Sequence, residues 1–170
     1  MALVKEDGSI VSGAESYVTV AEADAYWADR GDPAQWTDLT TAQKESALRQ
    51  ATQYLETNYN WKSCLQDVVQ PLAFPRLPFY DKEGRLLAGE GVIPQKVKDA
   101  QIELALRHAI QNLLLDTNPQ DDNILRERVG DHEVQYKSGS TKTYSFSYVQ
   151  SLLRSYVLSS TFNEARIIRG

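Results

Sequence analysis

One cysteine, two histidines and several close carboxylate pairs are the residues of this chain whose types could do chemistry. A structural zinc site takes about four ligands, and the lone Cys64 with two histidines, His108 and His132, does not make a convincing one. As a nucleophile Cys64 would need an activating partner such as His108 or His132, yet NWKSCLQD carries no nucleophile signature. A lone cysteine reads better as a small hydrophobe. The carboxylate groups Glu22/Asp24 and Asp121/Asp122 read as a helix-start charge and a solvated loop. GEG at 89–91 lacks the Lys-Ser/Thr that would make a phosphate loop, and neither GxGxxG nor GxSxG occurs. No catalytic, metal-binding or cofactor-binding residue is assigned.

Binding chemistry has more material. PLAFPRLPFYDKEGRL, residues 71–86, sets three prolines among Phe74, Phe79 and Tyr80. Proline removes freedom from the unfolded chain, so such a segment loses less entropy when ordered against a partner. Arg76 could grip a carboxylate with two parallel hydrogen bonds. Three tryptophans and nine tyrosines suggest a platform for stacking bases. The alternative is that Trp27, Trp36, Tyr54, Tyr59 and Trp61 pack a helical core, and charge favours it. The net charge is −5, and residues 1–60 hold four basic against ten acidic residues. A protein held by phosphates would show the opposite balance.

These residues must be positioned by a domain of 170 residues with 42% hydrophobic and 24% charged content, enough for one core. No apolar run is long enough to span a membrane, and MALVKEDGSIVSG has no signal-peptide core, so a cytosolic product is expected. An arm, 1–18, turns at Gly8 and Gly13. Thr19 with Glu22 forms a capping box that starts a helix to about Arg30, its inner side formed by Ala23, Tyr26 and Trp27; Asp32-Pro33 marks a loop. Thr40 with Gln43 opens a second helix to about Tyr59, whose Ala47, Leu48, Ala51, Leu55 and Tyr59 make an apolar stripe. A loop follows over 61–93, long for a compact domain. Pro94 begins a helix through PQKVKDAQIELALRHAIQNLLLD, the central and most buried one, with His108 as a packed or partly exposed core residue. After DTNPQDDN, strand-like alternation around Gly130-Asp131 predicts a β-hairpin with Val129, Val134 and Tyr136 on its inner face. Ser147 caps a last helix, and 161–170 forms a tail. The expectation is a single, mainly α domain over 1–170: about four helices, a long inter-helix loop, a short hairpin and an extended C-terminal tail.

The order YVTVAEADAYWADRG, YLETNYNWK, PLAFPR, DKEG, IPQKVKDAQIELAL resembles a family of tailed-phage proteins encoded beside the capsid genes. They are often labelled DnaT-like single-stranded DNA-binding proteins and are similar to head–tail connector, or head-completion adaptor, proteins. Phe74 stands where that family commonly has Trp. The resemblance implies a structural adaptor without enzymatic activity or cofactor, located in the virion neck and made in the host bacterial cytoplasm. It implies a homo-oligomeric ring of twelve copies under the portal protein. That ring would extend the channel for double-stranded DNA, without sequence-specific binding, and dock the next neck or tail-completion protein. Phe74, Pro75, Arg76, Phe79 and Tyr80, with Ile167, Ile168 and Arg169 in the tail, are the expected interface residues. The alternative is a nucleic-acid-binding module, as the family label says.

Overall fold

A computed structural model describes residues 3–111, 113, 126–129, 132–135 and 146–158. Five helices dominate: α1 (Val20–Ala28), α2 (Ala34–Thr37), α3 (Thr41–Asn58), α4 (Gln95–Ile110) and α5 (Ser147–Leu153). Two antiparallel strand pairs accompany them, β1 (Phe79–Tyr80) with β2 (Leu86–Ala88), and β3 (Arg126–Val129) with β4 (His132–Gln135).

Both capping boxes form. Glu22 N–H donates to Thr19 Oγ1 at 3.2 Å while the Glu22 carboxylate accepts from the Thr19 amide at 2.7 Å. Gln43 and Thr40 repeat the exchange at the start of α3. Each box satisfies amides that the first helical turn leaves without partners. The stripe on α3 is buried over Ala47, Leu48, Ala51 and Leu55, while Tyr59 is the extended C-cap and only partly buried. α4 is the central helix, packing on α1, α2, α3 and α5, and it buries Val97, Ala100, Ile102, Leu104 and Ala105. Trp27, Trp36 and Trp61 are core residues, with Tyr54 and Tyr59 packed against them.

Several boundaries differ from expectation. Pro94 is the N-cap of α4 rather than its first residue. α4 stops at Ile110, because Gln111 turns to extended backbone (φ −148°) with its amide on the Arg107 carbonyl. Ser147 is the first residue of α5, not its cap; Phe146 holds the cap position and offers no side-chain acceptor. The Asp32-Pro33 loop leads at once into α2, whose single turn buries Trp36. The hairpin around residues 130 and 131 is present, pairing Val129 with His132 and Glu127 with Val134, while Tyr136 lies outside the described residues.

The N-terminal arm is bonded to the domain. Glu6 is fully buried, and its carboxylate accepts from the amides of Gly8, Ile10 and Val11 at 2.8, 3.0 and 2.8 Å. A charge out of water needs such donors. At Gly8, φ is +106°, and a Cβ there would lie 1.9 Å from the Gly91 carbonyl oxygen. Only glycine lets the arm close onto the far end of the 61–93 segment.

Candidate docking surface on the 61–93 segment

The long segment is built inward first. Glu56, near the end of α3, accepts from the Ala73 amide at 2.8 Å and from the Tyr17 hydroxyl, and Phe74 N–H donates to that hydroxyl at 3.3 Å. Burial pushes the Glu56 carboxyl above its ordinary range, against the pull of these hydrogen bonds. It also drives the Tyr17 phenol well up, helped by the nearby Glu56 charge. Gln101 of α4 ties the same region together. Its amide donates to Ser16 Oγ, Thr52 Oγ1 and the Leu48 carbonyl at 2.6, 2.8 and 3.1 Å, and its oxygen accepts from the Tyr17 amide at 3.0 Å.

Phe74 is therefore a core residue. It is 0% exposed, edge-on to Tyr17 and to Trp61 at ring-centroid distances of 6.1 and 4.9 Å. Pro75 is buried beside it. Arg76 is buried too, and its guanidinium donates to the carbonyls of Lys62 (2.8 Å), Ala73 (3.0 Å) and Ser63 (2.5 Å). It serves carbonyls of its own segment, not a neighbour's carboxylate. Phe79 is buried edge-on to Tyr156. Of the five residues expected to reach a partner from this loop, Tyr80 alone is exposed, at 58%. Their burial has a plain cause: burying a large aromatic in its own core stabilises the fold, and three prolines let the chain follow that path at reduced entropic cost. Ile167, Ile168 and Arg169 lie outside the described residues.

What the segment turns outward is different. Gln70 Oε1 accepts from the amides of Gln66 and Asp67 at 3.0 Å each, and its Nε2 donates to the carbonyls of Leu72 and Pro75 at 2.6 and 2.9 Å. Asp67 Oδ1 accepts from Val69 N–H, and Gln66 Oε1 accepts from Gly91 N–H, both at 2.9 Å. Every polar side chain of the turn at 66–70 thus holds backbone, while the apolar ones face water. Val68 is 94% and Val69 84% exposed. Leu65 and Leu77 are also exposed, on strand-like stretches joined by the Leu65–Arg76 bridge. Leu86 and Val92 are exposed either side of Gly89.

The whole chain, residues 1–170, matches the family described as "Putative DnaT-like ssDNA binding protein". The protein belongs to that family. Comparison with curated proteins and with solved structures gave no match. In this DnaT-like chain, aromatic and cationic groups that could meet a nucleic acid cluster where α1, α4 and the start of α5 come together. The Arg30 guanidinium sits 3.6 Å over the Tyr26 ring, and the Tyr26 hydroxyl donates to Glu103 at 2.9 Å. Arg107 donates to the other Glu103 oxygen at 2.6 Å and lies 6.0 Å from the Phe146 ring centroid. Tyr148 is half exposed nearby. Burial, then the hydrogen bond to Glu103, raises the Tyr26 phenol far above its usual range. Arg107 is ion-paired with Glu103, which offsets its charge, whereas Arg30 rests on the Tyr26 ring and donates to the Tyr26 carbonyl, which leave its charge in place.

Cys64 is exposed, and no group of His, Cys, Asp and Glu that could hold a metal ion occurs among the described residues. His108 is partly buried, as its place on α4 predicts, and burial lowers its pKa. No described helix is long and apolar enough to cross a membrane. The valine pair was the feature sequence reading passed over. Its signal was two adjacent β-branched residues inside a polar Gln-Asp…Gln turn, a place where apolar side chains have no core to enter.

Proposed function

We propose that this DnaT-like protein is a non-catalytic docking module, acting as a head-to-tail adaptor of a tailed bacteriophage. In this reading it forms a ring under the portal protein and receives the next neck or tail protein. The observation that carries it is the turn at 66–70, rigidly hydrogen-bonded and tipped by two exposed valines. A preformed apolar projection loses little entropy on docking and gains by leaving water. The resemblance of residues 10–115 to connector proteins supports the same reading. So does the acidic charge of the first third, which would reduce friction on DNA passing through a channel. The test is cryo-microscopy of particles from the phage carrying this gene. Rings of the protein beneath the portal are expected, and particles lacking it would overturn the reading.

A second reading is favoured by the family description, namely binding of single-stranded DNA. The Tyr26–Arg30 and Arg107–Phe146 pairs with exposed Tyr148 would be its surface. Fluorescence anisotropy with a labelled single-stranded oligonucleotide decides it. Binding that weakens steeply with salt and falls in Tyr148→Ala would establish it. No retention at low salt is the outcome expected from a net charge of −5.

A further inference from the structure

The N-terminal arm reaches the turn at 66–70 through a short run of direct contacts. Buried Glu6 gathers the amides of Gly8, Ile10 and Val11 on its carboxylate, so the backbone wraps around it. Within that wrap Ile10 sits at φ +63°, a region that β-branched residues rarely adopt. The Glu6 hydrogen bonds hold it there against local strain. Gly8, in the same wrap, lies so close to Gly91 that no Cβ fits between them. Gly91 N–H in turn donates to Gln66 Oε1. The Gln66 and Asp67 amides donate to Gln70 Oε1, and Asp67 Oδ1 takes the Val69 amide. Gln70 Nε2 reaches only Leu72 and Pro75. Among the described residues, Gln66 to Gly91 is therefore the one hydrogen bond from 66–70 to anything outside 66–75.

We infer that the N-terminal arm is a strap that sets the posture of the 66–70 turn, with Glu6 and Gly8 as its positioning residues. While Glu6 holds the wrap, Gly8 seats Gly91, and Gln66 keeps the turn in its projecting form. Displacing the arm unseats Gly91 and frees the turn, and the strain at Ile10 favours that release once the Glu6 bonds are lost. An event at residues 3–11 thus controls how Val68 and Val69 are presented. The coupling is reciprocal, because whatever stabilises the turn also stabilises the wrap. Its use in docking rests on the adaptor reading, whereas the coupling is a property of the free chain.

Amide hydrogen exchange of the full chain, read residue by residue by nuclear magnetic resonance, tests this. Gly8→Ala puts a methyl group where the Gly91 carbonyl stands, and Glu6→Gln turns an acceptor of the wrap into a donor. In both variants exchange should speed by about tenfold or more at Gly91, Gln66, Asp67 and Val69. Buried Ala100 and Leu104 of α4 should keep their natural rates, which separates release of the turn from general unfolding. Ser12→Ala, an exposed change in the same arm, should leave all of these rates as they are. Gln66→Ala, which breaks the tie from the other side, should speed exchange at Gly8, Ile10 and Val11. Loss of protection at Val11 in Glu6→Gln with residues 66–69 still protected would overturn the strap. So would a Gln66→Ala variant whose arm exchanges at natural rates. Either result leaves the adaptor reading standing, because rings in particles judge it separately.

Discussion

Phe74 and Arg76 show how one side chain decides what a loop is for. Phe74 fills a site between Tyr17 and Trp61, so Phe74→Ala should cost about 3–5 kcal/mol, measured as a fall in the urea midpoint. Arg76 satisfies three carbonyls that no strand or helix serves, and Arg76→Met should destabilise by about 3 kcal/mol through the acceptors it strands. Val68→Asp with Val69→Asp should change stability by less than about 1 kcal/mol, because those side chains are already in water. Glu56 adds a pH dependence of definite sign. Its pKa is raised in the folded state, chiefly by burial, so the neutral form suits the fold better. Its contribution is fully present below the unfolded value of 4.5 and is lost as pH rises through the higher folded value. Stability of Glu56→Gln relative to the natural protein should therefore improve from pH 4 to pH 7, whatever its offset at pH 4. Urea midpoints of both proteins at the two pH values measure this.

At the scale of elements, the helices were legible because their signals are local. Capping boxes at Thr19 and Thr40 and the stripe on α3 need only neighbours within a turn or two, and they appear where the sequence put them. The small elements were missed for the opposite reason. α2 has a single turn, and β1 with β2 contributes five residues, so neither has a period to detect. What fixes them is contact: Trp36 buried with its indole N–H on Asp24 at 2.7 Å, and Phe79 against Tyr156 of the chain's far end. Gln101 is the clearest case. In sequence it is one more polar residue on an amphipathic helix, yet in the fold it joins the arm, α3 and α4 through four hydrogen bonds. Gln101→Leu keeps the volume but strands the Tyr17 amide, and should cost about 2–3 kcal/mol by the same urea measurement.

For the whole molecule, the expected and observed organisation agree on a mainly helical domain with α4 at its centre. The loop is where they part. Aromatics and prolines at 71–80 suggested a protruding grip, and the fold instead uses them to attach the segment to α3, the arm and Tyr156. The surface left for a partner is the turn before them. A folded, anchored segment also predicts that limited proteolysis of the natural protein will spare 71–80, whereas Phe74→Ala should open that stretch to cleavage at equal protease concentration.

Residue types, charge balance and helical spacing are properties of neighbours along the chain. From them alone came the helical class, the acidic first third, the capped starts of α1 and α3, and the family resemblance. Which aromatics face inward depends on residues distant in sequence meeting at one point, as Tyr17, Glu56 and Phe74 do. The tertiary structure alone therefore decided that Phe74 and Arg76 are core and that Val68 and Val69 are surface, since burial belongs to the packed whole and to no segment by itself.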